Sequence, residues 1–339
     1  MIITDALTPA RRETVRALAE RARLHDGIGP LDEAALLALD DPTVGATHLL
    51  VEAGATGTQT GADGTEAADG DDADADLHGY ASVLADGTIQ GMVDPQHRRR
   101  GHGSALLEAA LEATASPAVW AHGALAAALA LLTSRGLVPT RDLLTMRRPL
   151  DAEHPVPAIP AVRDAQVQLG TIDLPRELER WVEVNALAFA DHPEQGALTA
   201  EDFTRRTAQD WFDAADVHVA RREEKMIGFV WIKREQPGPD AGPAQSDDAQ
   251  PGDAQPGDAP PLDAQPSDAE VYVVATDPAE QGRGIAGALL TTALHRLQDQ
   301  GVPAVELYVE ADATAAVGLY ERWGFTVSGR DVQLRPERV

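Results

Sequence analysis

The sequence contains no cysteine, which excludes disulfides, thiolate metal sites and a cysteine nucleophile. Lysine is nearly absent, with only Lys225 and Lys233, and aromatic residues make up 4% of the chain. No run of about 18 apolar residues occurs, and the first residues lack the basic and apolar regions of a signal peptide. We therefore expect a soluble, cytoplasmic protein.

Positive charge is also scarce, and the formal net charge is −27 at pH 7. Because such a surface repels phosphates, neither nucleic acid nor an anionic membrane is expected as a partner. Much of the excess acid lies in two segments without Lys or Arg, at about 53–76 and 236–269. Their small and polar residues cannot bury enough apolar surface to order the chain, so we predict two disordered hairpin insertions.

The remaining chain indicates an internal duplication. Its 339 residues, 43% of them hydrophobic, suffice for two domains. A strand, a glycine-containing turn and a helix occur twice: Arg98 aligns with Gln281 at an offset of 183 residues, and Gly136 aligns with Gly324 at 188. We predict a first domain over 1–150, a proline-containing linker over 151–162 and a second domain over 163–339.

The turn in the second copy has the composition of an anion-binding loop. An apolar strand at 271–274 precedes Gly282, Gly284 and Gly287, and a helix follows. Such a turn directs several N–H groups at one point, and the helix dipole adds positive potential, which favours a phosphate or pyrophosphate. Rossmann and P-loop proteins use similar loops, although no Gly-Lys-Ser/Thr follows here. The three arginines at 98–100 of the first copy fit either such a loop or a solvated basic turn.

The pattern Gln281-x-x-Gly284-x-Ala286 after a strand resembles the acetyl-CoA signature of the GNAT superfamily of N-acetyltransferases. The resemblance implies a mixed α/β fold with two tandem domains, each a mostly antiparallel mixed sheet flanked by helices. It also implies acetyl-CoA as the cosubstrate and no metal.

Further segments along the chain are similar to the mycothiol synthase family of tandem GNAT proteins. These segments are Trp120-Ala121-His122-Gly123, Met146-Arg147-Arg148-Pro149-Leu150, His192-Pro193-Glu194-Gln195-Gly196, Glu270-Val271-Tyr272-Val273-Val274 and Leu307-Tyr308-Val309-Glu310. The family acetylates the cysteinyl amine of desacetylmycothiol, a small thiol-sugar, in the last step of mycothiol biosynthesis. We expect such a substrate and a monomeric protein.

The resemblance also implies the residues of the site. Glu270 would be the catalytic base and Tyr320 the catalytic acid. The substrate would contact Glu33, Glu194, Lys233, Glu270 and Tyr308. In the second copy acetyl-CoA would contact Val274, Ala275, Thr276, Gln281, Gly282, Arg283, Gly284, Ile285, Ala286, Gly287, Ala313, Thr314, Ala315, Ala316, Val317 and Gly318. In the first copy it would contact Gly91, Met92, Val93, Arg99, Arg100, Gly101, His102, Gly103 and Ser104.

The residues by themselves leave alternatives open. Tyr320 also fits a half-buried aromatic residue, and Glu270 fits a polar residue that closes a loop. The first copy has Leu132 at the position matching Tyr320, and since leucine cannot donate a proton, we expect the first copy to be non-catalytic. The family's usual Asn is Ala313 here, and Val230 and Ile232 replace polar residues of its usual strand. A tandem enzyme for another amine, such as an aminoglycoside or a protein N-terminus, and a non-catalytic acetyl-CoA-binding regulator therefore stay open.

Overall fold

The computed structural model describes residues 1–53, 76–164, 166–190, 195–234 and 268–337. The eight α-helices of these residues are α1 (Pro9–Asp26), α2 (Glu33–Asp40), α3 (His102–Glu112), α4 (Ala126–Ser134), α5 (Leu178–Ala188), α6 (Ala200–Thr207), α7 (Ile285–Asp299) and α8 (Thr314–Arg322). Their twelve strands are β1 (Ile2–Thr4), β2 (Ala46–Glu52), β3 (Leu77–Leu84), β4 (Thr88–Val93), β5 (Ala118–Ala121), β6 (Leu137–Pro149), β7 (Val167–Thr171), β8 (Val217–Arg222), β9 (Lys225–Arg234), β10 (Ala269–Thr276), β11 (Ala304–Glu310) and β12 (Thr326–Pro336). Nearly all of the two predicted insertions lies outside the described residues.

Local sequence signals explain where several helices begin and end. The Thr8 side chain accepts a hydrogen bond from the backbone N–H of Arg11 at the start of α1, and Gly27 ends this helix at a φ of 75°. A capping box begins α6, because Thr199 and Asp202 bond each other's backbone N–H groups. Among the described residues, no helix has both the length and the apolar character that crossing a membrane requires.

The chain divides into two compact units. The first contains Met1–Leu144, Glu310–Asp312 and Gly329–Val339, and the second contains Thr145–Val309 and Ala313–Ser328. The first unit thus holds β1 to β5 with residues 137–144 of β6 and 329–336 of β12, and the second unit holds β7 to β10 and most of β11 with residues 145–149 of β6 and 326–328 of β12. The domain boundaries expected from the sequence, at 1–150, 151–162 and 163–339, describe the repeat and remain a prediction.

The first unit is a mixed sheet with helices on both faces. Its strand order is β1-β2-β3-β4-β5-β12. Strands β4 and β5 are parallel, whereas β1 to β4 pair antiparallel with their neighbours and β5 pairs antiparallel with β12. One face packs Leu106 and Leu132 of α3 and α4 against the sheet, with Val332 and Leu334 of β12 in the same cluster. On the other face, Leu18 of α1 packs in a cluster that also holds α2.

The second unit repeats this architecture with the order β6-β11-β10-β9-β8-β7. Strands β10 and β11 are parallel, whereas β7, β8, β9 and β10 pair antiparallel. An aromatic core lies on one face, where the Trp181 ring of α5 lies 4.7 Å from Phe203 of α6 and 4.8 Å from Trp231 of β9. Helix α7 buries Leu289, Leu290 and further residues and contacts β8, β9 and β10.

Candidate active site

The predicted anion-binding loop of the second unit lies between β10 and α7. Asp277 caps a short 3₁₀ turn, Gly282 and Gly284 follow at φ values of 76° and 83°, and Gly284 begins α7 without a side-chain cap. The first N–H groups of a helix have no acceptor inside the helix. Since no side chain caps them here, they can bind an anion, and the helix dipole adds to the attraction.

The first unit has the same backbone geometry at residues 98–103. Asp94 caps the matching 3₁₀ turn, with a φ of −47° like that of Asp277. Arg99 and Gly101 have φ values of 63° and 89°, at the offset of 183 residues from Gly282 and Gly284, and α3 also begins without a side-chain cap. The predicted residues 99–104 therefore lie in a loop with the same backbone conformation as the loop of the second unit.

An arginine of the first helix of each copy anchors the loop that follows the strand. Arg180 of α5 donates to a carboxylate oxygen of Asp277 at 2.7 Å, and Arg21 of α1 donates to Asp94 at 2.8 Å. Burial alone would raise the pKa of Asp277, but the hydrogen bond from Arg180 and one from the backbone of Ala279 outweigh it, so this pKa is lowered. The carboxylate is therefore charged at neutral pH.

Strands β10 and β11 separate next to the loop. Among the described residues, their parallel register covers only Ala269 and Glu270 of β10, and the register of β10 with β9 shifts between Val271 and Val273. This β-bulge bends β10, so residues 274–276 continue beyond the parallel ladder. The Oγ1 atom of Thr276 is buried without a hydrogen-bond partner among the described residues. This edge therefore has polar groups to offer to an extended, amide-containing ligand such as the pantetheine arm of coenzyme A.

The first unit repeats this separation as well. The parallel register of β4 and β5 covers only Thr88 and Ile89 of β4 among the described residues. The predicted residues 91–93 lie beyond it, as 274–276 do in the second unit. Both units thus combine an uncapped helix start with a partly unpaired strand, and the residues at both places fit acetyl-CoA.

Glu270, the predicted base, lies where β10 has a neighbour on each side. Its Cα partner on β9 is Lys233 and its partner on β11 is Glu306. Residues paired across adjacent strands point to the same face of a sheet. Alternation along β11 adds the exposed Tyr308 to this face. Three residues expected near the substrate therefore share one face, and the sequence reasoning missed Glu306.

Aromatic rings hold the ammonium group of Lys233. Its Nζ atom lies 5.0 Å from the ring centroid of Trp211 and 5.6 Å from that of Tyr272. Arg206 donates to the hydroxyl of Tyr272 at 2.9 Å and so fixes the tyrosine ring. Cation–π attraction of this kind keeps the positive charge beside the strand that carries Glu270.

Tyr320, the predicted acid, is a buried residue of α8. Its ring is 8% exposed and packs edge-on against Phe325 at 5.8 Å. Burial raises the pKa of Tyr320 to about 12. Among the described residues, the hydroxyl has no hydrogen-bond partner and so has a proton to donate. Leu132 of the first unit is buried to a similar degree, at 5% exposure.

The other predicted residues lie at separate places. Residues 313–318 form the start of α8, whose capping residue Ala313 makes no side-chain hydrogen bond. Glu33 is the first residue of α2, next to Asp32, whose backbone N–H donates to Gln90 of the first unit at 2.7 Å. Glu194 lies outside the described residues.

A charged cleft of about 720 Å³ in the second unit contains none of the predicted site residues. It is lined by Gln168, Asp173, Arg176, Glu177, Arg180, Arg221, Glu223, Glu224, Lys225 and Met226. Arg180 and Arg221 are already paired with Asp277 and Glu177. These ion pairs therefore stabilise the fold next to the loop, and the candidate site lies outside the cleft.

Comparison with known proteins defines the class. The model of the acetyltransferase (GNAT) family matches residues 181–325. A GCN5-related N-acetyltransferase from Sphaerobacter thermophilus aligns with 98% of this chain and 94% of its own, at a TM-score of 0.65 and 22% identity. A tandem GNAT protein from the clavulanic acid biosynthesis pathway aligns over 100% of both chains, at a TM-score of 0.62 and 15% identity. The chain therefore has the fold of tandem GNAT proteins, as the sequence predicted.

Relatives at higher identity define the family. A mycothiol acetyltransferase from Brachybacterium faecium is 52% identical over 99% of this chain and 98% of the relative. One from Thermomonospora curvata is 39% identical over 98% of this chain and 96% of the relative. The chain belongs to the mycothiol acetyltransferase family and is an acetyl-CoA-dependent N-acetyltransferase. The resemblance drawn from the sequence is thereby confirmed.

Proposed function

We propose that this enzyme transfers the acetyl group of acetyl-CoA to the cysteinyl amine of desacetylmycothiol, the last step of mycothiol biosynthesis. The observation that carries the proposal is the similarity to mycothiol acetyltransferases along 99% of the chain, both copies included. A polyhydroxyl substrate needs several donors and acceptors, and Lys233, Glu270 and Tyr308 on one face supply them, with Glu33 and Glu194 as further contacts.

We assign the transfer to the second copy. Both copies have the loop and the separated strands, but only the second has a tyrosine where the first has Leu132. A leucine has no proton to give. The first copy is therefore proposed to bind acetyl-CoA without transferring its acetyl group.

The amine must be uncharged to attack, and Glu270 is the proposed base. An α-amino group has a pKa near 8, so a carboxylate in contact with it, or with one water between them, can accept its proton at neutral pH. The N–C bond then forms as the C–S bond of the thioester breaks. Backbone N–H groups at 274–276 would polarise the thioester carbonyl, a role worth about 3–4 kcal/mol when the donors are preformed.

Tyr320 is proposed to donate to the departing sulfur. The pKa of a thiol is near 8.5, so complete proton transfer from a tyrosine with a pKa of about 12 costs about 5 kcal/mol. A hydrogen bond that strengthens as charge develops on sulfur avoids most of that cost. Tyr320 therefore acts as a hydrogen-bond donor while the C–S bond breaks; the released thiolate takes its proton from water, and Glu270 returns the proton of the amine to solvent.

The proposal is tested by measuring release of the coenzyme A thiol with purified enzyme, acetyl-CoA and a panel of amines. The panel contains desacetylmycothiol, an aminoglycoside and a peptide with a free N-terminus. We expect turnover with desacetylmycothiol at a kcat/KM at least about 10²-fold above the others, as for a site built to pair substrate hydroxyls. Preference for another amine would contradict the proposed substrate. The absence of turnover with every amine would favour the alternative of a non-catalytic acetyl-CoA-binding regulator.

A further inference from the structure

Three side chains of the kind that bind metals converge in the first unit, at the start of β3. Asp76, His78 and His97 each offer one oxygen or nitrogen atom, and these atoms lie within 4.8 Å of one another. None of the three belongs to the proposed coenzyme, substrate or catalytic residues. We propose that they bind a divalent transition-metal ion, with Zn²⁺ as the ion that fits best, in addition to the acetyltransferase site.

The side chains face each other without bonding to each other. The Nε2 atom of His78 lies 3.8 Å from a carboxylate oxygen of Asp76, beyond hydrogen-bond distance. The imidazole rings of His78 and His97 are stacked with centroids 3.6 Å apart, and the ring of His102 lies 5.4 Å from that of His78. The Nδ1 atom of His97 is buried and has no hydrogen-bond partner among the described residues. The three side chains thus make no hydrogen bond to one another, although the Asp76–His78 and His97–Asp94 pairs lie within ion-pair distance.

The donor set selects the class of ion. Imidazole nitrogen with one carboxylate suits Zn²⁺, whereas Mg²⁺ and Ca²⁺ prefer oxygen ligands alone. Tetrahedral zinc with bonds of about 2.0–2.1 Å needs ligand atoms about 3.3 Å apart. The ligand atoms, at most 4.8 Å apart, must therefore close by up to about 1.5 Å, and the stacked imidazole rings must turn until both nitrogen lone pairs point at one ion. A water can complete the coordination.

A carboxylate lies near the second ring nitrogen of His97. A carboxylate oxygen of Asp94 lies 3.7 Å from its Nδ1, and Arg21 and the backbone of Gln96 hold that carboxylate. A metal-binding histidine commonly directs its second nitrogen to a carboxylate in this way. With Nδ1 turned to Asp94, Nε2 of His97 remains for the ion.

The position of the cluster indicates what an ion would do. His97 ends the 3₁₀ turn that leads into the loop at 98–103, and His78 lies on β3, where its carbonyl accepts the N–H of Asp94 at 2.9 Å. An ion bound to both histidines would link the loop to the sheet. It would therefore stabilise the first unit without taking part in acetyl transfer.

The test is isothermal titration of untagged, chelator-treated full-length protein with ZnCl₂. We expect one ion per chain, a higher Tm in its presence, and visible Co²⁺ absorption bands that EDTA removes. His78→Gln and His97→Gln should each weaken binding at least about 10-fold, since even the loss of an indirect partner costs that much. Asp76→Asn alters a side chain that is 63% exposed and so tests the site without disturbing the fold.

Two exposed histidines provide matched controls, because each lies within 2.9 Å of an aspartate oxygen but does not belong to the cluster. They are His25 beside Asp26 and His154 beside Asp151. His25→Gln and His154→Gln should leave the affinity for Zn²⁺ unchanged. The proposal is overturned if the wild type shows no saturable binding, or if the control variants weaken binding as much as the cluster variants do.

Discussion

Tyr320 and Leu132 occupy matching positions of the two copies and are 8% and 5% exposed. Both residues are buried near the end of a helix, and in both copies a glycine at positive φ and then a strand follow that helix. Packing therefore does not explain why one of them is a tyrosine. The hydroxyl is the difference, and its raised pKa keeps it protonated well above neutral pH.

We predict that Tyr320→Phe lowers kcat about 10²-fold or more and leaves the KM for acetyl-CoA nearly unchanged, because it removes one proton donor and no part of the anion-binding loop. Steady-state thiol release measures both constants. Tyr80→Phe is the matched control, since Tyr80 is a buried tyrosine of the first unit that is bonded to His48 at 2.7 Å. Wild-type turnover in Tyr320→Phe would remove Tyr320 from the mechanism.

Glu270 has a carboxylate neighbour, Glu306, at the Cα position opposite it on β11. We predict that Glu270→Gln lowers turnover about 10²-fold or more, because the amide cannot accept the proton of the amine. Glu306→Gln should retain most of the activity. The same assay decides between the two carboxylates, and a larger loss in Glu306→Gln would assign the base to that residue instead.

At the scale of elements, the sequence predicted the loop and its repeat because glycine marks positive φ. Gly282, Gly284 and Gly101 were visible in this way. Arg99 was not, because an arginine at a φ of 63° has no local sequence signal and takes that conformation only within the folded loop. The bulge at 271–273 was equally invisible, since it follows from pairing with β9 and not from residue type.

We predict that Asp277→Asn destabilises the second unit by about 1.5–3 kcal/mol at pH 7, the usual contribution of a hydrogen bond to a charged group. Asparagine can still cap the 3₁₀ turn, so the change isolates the pair with Arg180, which is 14% exposed. Because the folded state lowers the pKa of Asp277, its stabilisation exists above about pH 4 and disappears as the pH falls through the lowered pKa. The difference in free energy of unfolding between the variant and the wild type should shrink accordingly.

The matching pair in the first unit is the control for this variant. Arg21 is 42% exposed, so solvent screens its interaction with Asp94 more strongly. Asp94→Asn should therefore destabilise the protein less than Asp277→Asn. Urea unfolding of both variants at pH 7 and at about pH 2, below the usual pKa of an aspartate, measures the comparison, and an Asp277 effect that does not depend on pH would refute the ion-pair argument.

At the scale of the whole molecule, the sequence predicted the duplication. It did not predict the exchange by which β12, the last strand of the second copy, pairs with β5 of the first copy. The repeat appears in local motifs such as Trp323-Gly324-Phe325. The place of β12 depends on long-range pairing of Val332 with Ala121 of β5, and its charged residues Arg330 and Asp331 hide the strand pattern. Local sequence contains no signal that a strand at the C-terminus belongs to the unit at the N-terminus.

This exchange makes the first unit depend on the last residues of the chain. Val332 and Leu334 are 3% and 0% exposed in its core. Asp331 accepts the N–H of Gly123 at 2.7 Å and lies 2.9 Å from His122. We predict that deleting residues 329–339 removes about 2 kcal/mol of burial free energy for each of these two apolar side chains. The polar contacts of Asp331 are lost as well. Together these losses are a large part of the free energy of unfolding of a domain.

The truncated protein should unfold in two steps, the first unit at a much lower denaturant concentration than the second, whereas the second unit retains its own residues up to Ser328. Hydrogen exchange measures the two units separately, and β5 should lose protection first because it loses its partner strand. Deleting only residues 338–339 is the control and should leave the unfolding curve unchanged. If the longer truncation also unfolds like the full-length chain, β12 does not stabilise the first unit, and each copy would be complete within its own half of the sequence.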